Sequence, residues 1–346
     1  MTNFENRYVA IQRESAYGSA SSLGTAKIGE VDDESIIGNL EILDRMDISK
    51  YGMTKSQTGK MYSEGDVNWV LQADDFSGLM MYAAMGKDSH SSGTHTMSDD
   101  RTGSLDSYRI IVQREQKKYT YTGMCLTRLS ISANLNEYVM CSATFNGKAF
   151  DVSSGIASLN ASPAYDGAAL DGMFFKNATV KFNNTGTASA FVKSFSMEIN
   201  LNLDTDNACA LGDDTYTRQP PMQRREVTGT IEFNQPMING ALPSGQQNEP
   251  LMTELLADGG YEDNPDSGAG EFAIHASFTD GTNTTSLTLF DVRYEAPTGY
   301  NVSGRDTQTM SVNYRAYVDV QGSNPAGKQL EISHKGIQTS SAYSAL

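Results

Sequence analysis

The feature that most constrains the fold is a pattern that occurs twice in the chain. One copy spans Glu41–Gly86 and the other spans Ser194–Gly259. Each contains an alternating strand, a polar loop, a second strand led by a glycine (Gly65, Gly229) and a short apolar helix ended by glycine. Repetition of this kind indicates two related structural units rather than one irregular domain.

The remaining sequence is dominated by short runs in which apolar and polar residues alternate, which is typical of half-buried strands. Helical patterns are few and short, at Leu79–Gly86 and Leu251–Ala257. We therefore predict a mainly β protein of two tandem β-sandwich or partly open barrel repeats, each with one short flanking α-helix. The first helix has Asp74 or Asp75 as its N-cap and Gly86 as its stop.

Composition shifts divide the chain into five predicted parts. These are an N-terminal arm or loop (1–34), repeat 1 (35–150), a linker (151–172), repeat 2 (173–320) and a weakly ordered C-terminal tail (321–346). The segments 51–64 and 204–223 are predicted to be long polar loops at equivalent places in the two repeats, and 87–106 a mobile loop. A hairpin is predicted around Asn134–Glu137.

The negative charge of the chain argues against a protein that binds nucleic acid tightly. The net charge is −16 and the isoelectric point is near 4.6. Two interpretations remain: the carboxylates serve solubility, or some of them line a surface along which DNA slides without sticking.

The cysteines and the hydropathy of the chain indicate the cellular compartment in which the protein is made. Three cysteines without a Cys-x-x-Cys pair indicate reduced thiols in a cytosol. We expect neither a secretory signal nor a membrane span.

No pattern predicts catalytic, cofactor-binding or metal-binding residues. His90 and His95 are placed in a solvated loop, and His275 is interpreted as structural. The acidic segment from Asp204 lacks the turn glycine and the bidentate glutamate of a calcium loop. Trp69, Tyr119 and Tyr121 are interpreted as cross-strand packing, with a sugar platform as the alternative.

Five segments in order resemble the larger, two-part type of phage tail tube protein. They are Ala10–Ser19, Glu64–Gly86, Leu126–Ser132 with Ser142–Ala149, Phe195–Leu203 and Arg224–Phe233. The resemblance covers about residues 10–260, and 183–190 and 258–270 depart from it.

The resemblance implies a structural, non-enzymatic virion protein of the tail, assembled in the host cytoplasm. Such subunits form stacked rings whose strands make one continuous inner β-barrel that conducts DNA without specific binding. A duplicated chain is expected to close a pseudo-sixfold ring from three copies, with six as the alternative. The tape-measure protein and the tail terminator are expected partners. The alternative function is a carbohydrate-binding or adhesin-type β module.

The predicted assembly residues lie in the two polar loops and just after the second. We expect the loops to reach a neighbouring ring; alternatively they cover the outer wall. Arg224 and Arg225 are interpreted as an inter-subunit ion pair or as ordinary exposed charges. The residues are Tyr51, Lys55, Lys60, Asp204, Asp214, Arg218, Arg224 and Arg225.

Overall fold

The computed structural model of the protein contains two β-sheets with one α-helix packed between them. This confirms the predicted mainly β class. The structure describes residues 7–19, 22–46, 48–49, 51–99, 105–115, 117–153, 165, 170–182, 192–234, 274–295, 309–318, 328–335 and 343.

The elements follow one another in a simple order. Strands β1 Tyr8–Glu14, β2 Ser22–Gly29, β3 Val31–Glu34, β4 Ile37–Met46 and β5 Met53–Val70 precede helix α1 Asp75–Met85. The first part of the chain continues with β6 Gly86–Ser91, β7 Thr94–Asp99, β8 Tyr108–Arg114, β9 Lys117–Asn134, β10 Met140–Gly147 and β11 Ala149–Ser153. The second part has β12 Ala178–Phe182, β13 Val192–Asn200, β14 Glu226–Asn234, β15 Ile274–Thr279, β16 Thr284–Leu289, β17 Val292–Tyr294, β18 Thr309–Ala316 and β19 Leu330–His334. Single 3₁₀ turns lie at Phe175–Asn177 and Asp206–Ala208.

The larger sheet has the main strand order β17-β18-β14-β13-β9-β10-β5, with β3 and β4 both paired along β5. Strand β9 belongs to two regions of this sheet: its first half pairs with β8 and β11, and its second half pairs with β10 and β13. The strand turns between them at Gly123, which has φ 67° and no room for a side chain, because a Cβ there would lie 2.7 Å from Lys148 Cβ.

The smaller sheet mixes strands from distant parts of the chain, in the order β12-β15-β16-β19-β7-β6. The inner faces of the two sheets and helix α1 enclose one core. Its largest members include Trp69, Tyr108, Phe145 and Phe195, all buried. The two parts of the chain therefore share hydrophobic packing rather than forming separate cores.

Helix α1 begins and ends where its sequence signals predict. Asp74 is the N-cap, and its Oδ1 accepts a hydrogen bond from Ser77 N at 2.9 Å. Gly86 ends the helix in the left-handed conformation (φ 83°), and its N–H bonds to Tyr82 O. Every residue of the helix is buried, because the helix packs against strands of both sheets. The second predicted helix, Leu251–Ala257, lies outside the described residues.

A buried helix end needs polar partners because water cannot reach it. His334 in β19 lies 2.9 Å from the main-chain oxygen of Asp74 through Nε2, and 2.8 Å from Thr285 Oγ1 through Nδ1. A carbonyl only accepts, so Nε2 carries the proton and the Thr285 hydroxyl donates to Nδ1. Lys27 in β2 pairs with Asp75 at 2.9 Å, and both side chains are buried. The start of the helix is thus held by the N-terminal and C-terminal strands together.

Three predictions of irregular structure are wrong. The N-terminal arm contains strands β1 to β3, and β1 is buried because it lies between β2 and β8. The supposed mobile loop 87–106 contains the β6–β7 hairpin, with His95 and Met97 buried. The C-terminal tail contains β19 inside the smaller sheet, and Tyr343 is buried against His95 with ring centroids 4.0 Å apart.

We expect acid to weaken the fold through His334. Burial lowers the pKa of His334 to about 4, whereas the unfolded chain takes up this proton below about pH 6.5. The stability that depends on neutral His334 is therefore complete above about pH 6.5 and is lost as the pH falls towards 4, by up to about 3 kcal/mol. Urea unfolding between pH 7.5 and 4 should show a smaller pH slope for His334→Gln than for the natural chain. Equal slopes would contradict the assignment.

Candidate functional site: a polar sheet face and a projecting hairpin

One face of the larger sheet is polar across six adjacent strands, from β5 to β18. Cross-strand register places its side chains in rows, and one row contains Asn68, Ser142, Ser130, Glu198, Thr228 and Arg315. The residues that alternate with them point into the core and are buried, including Val67, Ala143, Leu129 and Ile199. The strict alternation predicted from the sequence thus produces a continuous polar surface on one side of the sheet.

Neighbouring strands are cross-linked on this face by polar side chains. Asp66 Oδ1 accepts from the Thr144 hydroxyl at 2.5 Å, and Thr230 donates to Asn313 Oδ1 at 2.9 Å. Arg128 is 3.7 Å from Glu198.

A second ion pair, Lys193–Glu232, joins β13 and β14 with a separation of 3.3 Å. The cations Arg128 and Lys193 are therefore each opposed by a carboxylate on the next strand. This reduces their availability to a phosphate.

A two-stranded hairpin extends beyond one end of this sheet. Strand β5 pairs with β10 over Ser63–Val70. Among the described strands, β4 is the partner of the β5 residues that precede Ser63. The hairpin corrects the predicted loop 51–64, which is exposed as expected but forms an antiparallel ladder with two register shifts. The sequence did not show this strand because both of its faces meet water, so no alternation marks it.

The hairpin carries an unusual number of exposed apolar side chains. Met46 is 77% exposed, and Met53, its cross-strand partner, is also exposed. The other exposed apolar residues of the hairpin are Ile37, Leu40, Ile42, Leu43, Ile48 and Tyr51. Exposed apolar area on this scale is characteristic of an interaction surface.

The two predicted loops meet at the base of the hairpin. Met61 N donates to Asp214 O at 2.6 Å, and Lys60 Nζ lies 4.3 Å from the centre of the Tyr216 ring. Burial alone lowers the pKa of Lys60, but its hydrogen bonds with Cys209 and Tyr216 and their charges raise it above the ordinary lysine value. Lys60 and Asp214 are the predicted site residues that the structure brings near each other. Tyr216, whose ring contacts Lys60, was missed by the sequence analysis.

The other loop residues are held apart from this contact. Tyr51 and Lys55 are exposed near the end of the hairpin. Asp204 accepts hydrogen bonds from Asn207 N and Nδ2, which lower the pKa of its carboxyl. Arg218 Nε donates to Asn207 O at 3.1 Å. The loop 204–223 is thus braced by its own side chains.

Arg225 is not the exposed residue that the sequence predicted. Its side chain is 7% exposed, and its Nη2 donates to Ala84 O at 3.0 Å and approaches Met85 O at 3.4 Å. It therefore binds the carbonyl end of helix α1, where a cation is favoured. The prediction failed because its partners lie about 140 residues away in the sequence.

The aromatic residues considered as a sugar platform are core or near-core residues. Trp69 and Tyr121 are buried, and Trp69 Nε1 donates to Ser77 Oγ at 3.0 Å. This confirms the packing interpretation. Cys125, Cys141 and Cys209 are free thiols.

Within the described ranges, no cluster of His, Cys, Asp and Glu has the arrangement of a metal site. The described part of the chain has no helix with the length and hydrophobicity that crossing a bilayer requires.

Replacement of Arg225 by methionine should destabilise the fold by about 3 kcal/mol, because it leaves buried carbonyls without their donor. Arg224, its exposed neighbour, provides the matched control: Arg224→Met should change stability by less than about 0.5 kcal/mol. Urea unfolding of both variants measures the difference. Similar values for the two would show that the helix contact contributes little.

The chain matches a known protein family. A family model described as phage tail tube protein matches residues 5–234 of the 346. The matched range includes the hairpin, helix α1 and five of the six strands of the polar face. No curated protein matches the chain significantly in sequence.

Proposed function

Since the chain belongs to the phage tail tube protein family, and is therefore a structural protein of the virion tail, we propose that three copies close one ring of the tube. The rings stack, and the polar sheet face lines the channel through which DNA passes. The observation that carries this proposal is a polar face that extends unbroken across strands from both parts of the chain.

The strand order supports a duplicated unit. Strand β5 lies between β3–β4 and β10, which pairs with β9; then β14 lies between β13 and β18, which pairs with β17. The glycines of the sequence repeat occupy matching places, since Gly65 pairs with Phe145 and Gly229 pairs with Tyr314. Each chain would thus contribute two units of four strands, and three chains would contribute six units.

Barrel geometry favours three copies over six. Eight strands per chain, spaced about 4.8 Å apart and tilted by about 40°, give a barrel roughly 50 Å across for three copies and roughly 100 Å for six. A DNA duplex is roughly 20 Å across, as two groove depths of about 8.5 Å indicate. Three copies leave a channel that accommodates one duplex once side chains are included, whereas six leave a channel far wider than DNA needs.

Ring closure would use the two edges of the larger sheet. Within one chain, β9 at the end of the first unit pairs with β13 at the start of the second. The equivalent junction between copies joins the β17 edge of one to the β3–β4 edge of the next. Such pairing removes sheet edges that otherwise promote aggregation.

The same proposal includes expectations about ring stacking, partner proteins and the place of assembly. The hairpin and the loop 204–223 lie together at one end of the sheet, where they would contact a neighbouring ring. A head-to-tail stack has two unlike ends, and the tail terminator would cap one of them. The tape-measure protein would fill the channel of the stack. Free thiols are in keeping with assembly in the host cytoplasm.

Electron microscopy and native mass spectrometry of the purified chain test the ring. We expect three-copy rings that stack into tubes, with threefold outer features around a sixfold channel. Monomers that never form rings at high concentration would contradict the proposal. Strictly sixfold density would contradict the three-copy arrangement alone.

The polar face should acquire affinity for DNA when its paired carboxylates are removed. The double change Glu198→Gln with Glu232→Gln frees Arg128 and Lys193, so DNA binding at low salt should strengthen several-fold, with about one more counterion released per freed cation. Glu115→Gln is the control, because it removes the partner of Arg7 away from this face. Filter binding at several salt concentrations measures the effect, and an equal gain in the control would contradict it.

A further inference from the structure

We propose that the hairpin tip of one copy docks on an aromatic patch at the opposite end of the sheet in the next copy along the tube. The hairpin tip consists of Met46, Ile48, Tyr51 and Met53. The far-end patch consists of Leu135, Tyr138, Phe174 and Phe175. This inference rests on the stacking proposed above and names the surface that receives the hairpin.

The hairpin tip requires a cover. In the part of the chain that the structure describes, the hairpin between Ser63 and its tip is a ribbon of two strands. Such a ribbon is marginal in water without a third element. Ile42 and Leu43 on β4 are nevertheless exposed. Their cross-strand partners on β5 are the polar residues Thr58 and Gln57. Contact with an apolar surface would bury these side chains and hold the ribbon.

The far-end patch is a surface of matching chemistry. Leu135 is 53% exposed and Tyr138 is 56% exposed, in the turn between β9 and β10. Tyr138 packs edge-on against Phe174 with ring centroids 6.4 Å apart, and Phe174 packs in the same way against Phe175 at 6.3 Å. Aromatic clusters fixed in this manner are common anchors of protein interfaces.

The two surfaces lie at opposite ends of the sheet. Met53 begins β5 at the tip, and Val70 ends it beside Met140, two residues after Tyr138. The 18 residues of β5 separate the ends by a strand path of roughly 60 Å. A head-to-tail stack joins unlike surfaces, so the end that bears the tip meets the end that bears the patch.

The hairpin is long enough to pass the loops at its own end. Lys60 and Met61 contact the loop 204–223 through Tyr216 and Asp214. Residues 53–59 continue beyond that contact for roughly 23 Å. The tip therefore stands clear of the loops, where the next copy would lie.

A charge-exchange experiment tests direct contact. Tip variant Met46→Lys with Met53→Lys and patch variant Leu135→Glu with Tyr138→Glu each place unpaired charges in the proposed contact. Each should shorten tubes by about tenfold or more, since buried unpaired charge strongly weakens an interface. The rings themselves should persist, because Met46 and Met53 lie at the end of the hairpin farthest from the sheet. Leu135 and Tyr138 lie between β9 and β10, away from the edges that would close the ring. Val152→Lys, an exposed site on β11, is the control and should leave tube length unchanged.

Variants that change both the tip and the patch test whether the two surfaces contact each other directly. Tip lysines with patch glutamates in one chain should restore tubes, and salt should shorten them. Tip lysines with Leu135→Lys and Tyr138→Lys should form rings only. Two results would overturn the inference, provided that rings still form. One is tubes of natural length in the variants that change a single surface. The other is equal assembly of the two combined variants. Absence of rings from the natural chain would instead overturn the proposed function, and this inference with it.

Discussion

The fold depends on satisfying the ends of one buried helix. Helix α1 lies inside the protein, so its terminal N–H and carbonyl groups have no access to water. Its first turn is held by the side chain of Asp74 and by His334, and its last turn by Arg225. Asp74 is the N-cap of the helix itself, whereas His334 comes from β19 and Arg225 immediately precedes β14. The helix therefore fixes distant strands relative to one another. This also holds the strands of the polar face in place.

Local signals in the sequence were sufficient for the elements that are stabilised locally. The bounds of α1 followed from Asp74 and Gly86, and the β9–β10 hairpin followed from the turn after Asn134. Alternation also separated the buried from the polar face along β13. In each case the decisive interaction lies within a few residues of the sequence that predicts it.

The failures share a different cause. Strand β19 is short and lies between polar segments, and only its pairing with β16 and β7 makes it a strand. His95 looked solvated because its neighbours are serine, glycine and threonine, although Asp88 and Tyr343 enclose it. Arg225 looked exposed because its partners are remote. Tertiary contacts decided these positions, and a single sequence contains little trace of them.

The contacts of Arg225 and His334 also bear on how the chain could be divided. A fragment containing only the first four-strand unit would retain helix α1 but would lose the cation at its carbonyl end and the imidazole at its start. A fragment containing the second unit would leave a guanidinium and a histidine without their acceptors. Neither fragment could rebuild the pairing alone. The two parts of the chain share one core and the contacts at both ends of the helix, so we expect neither part to fold without the other.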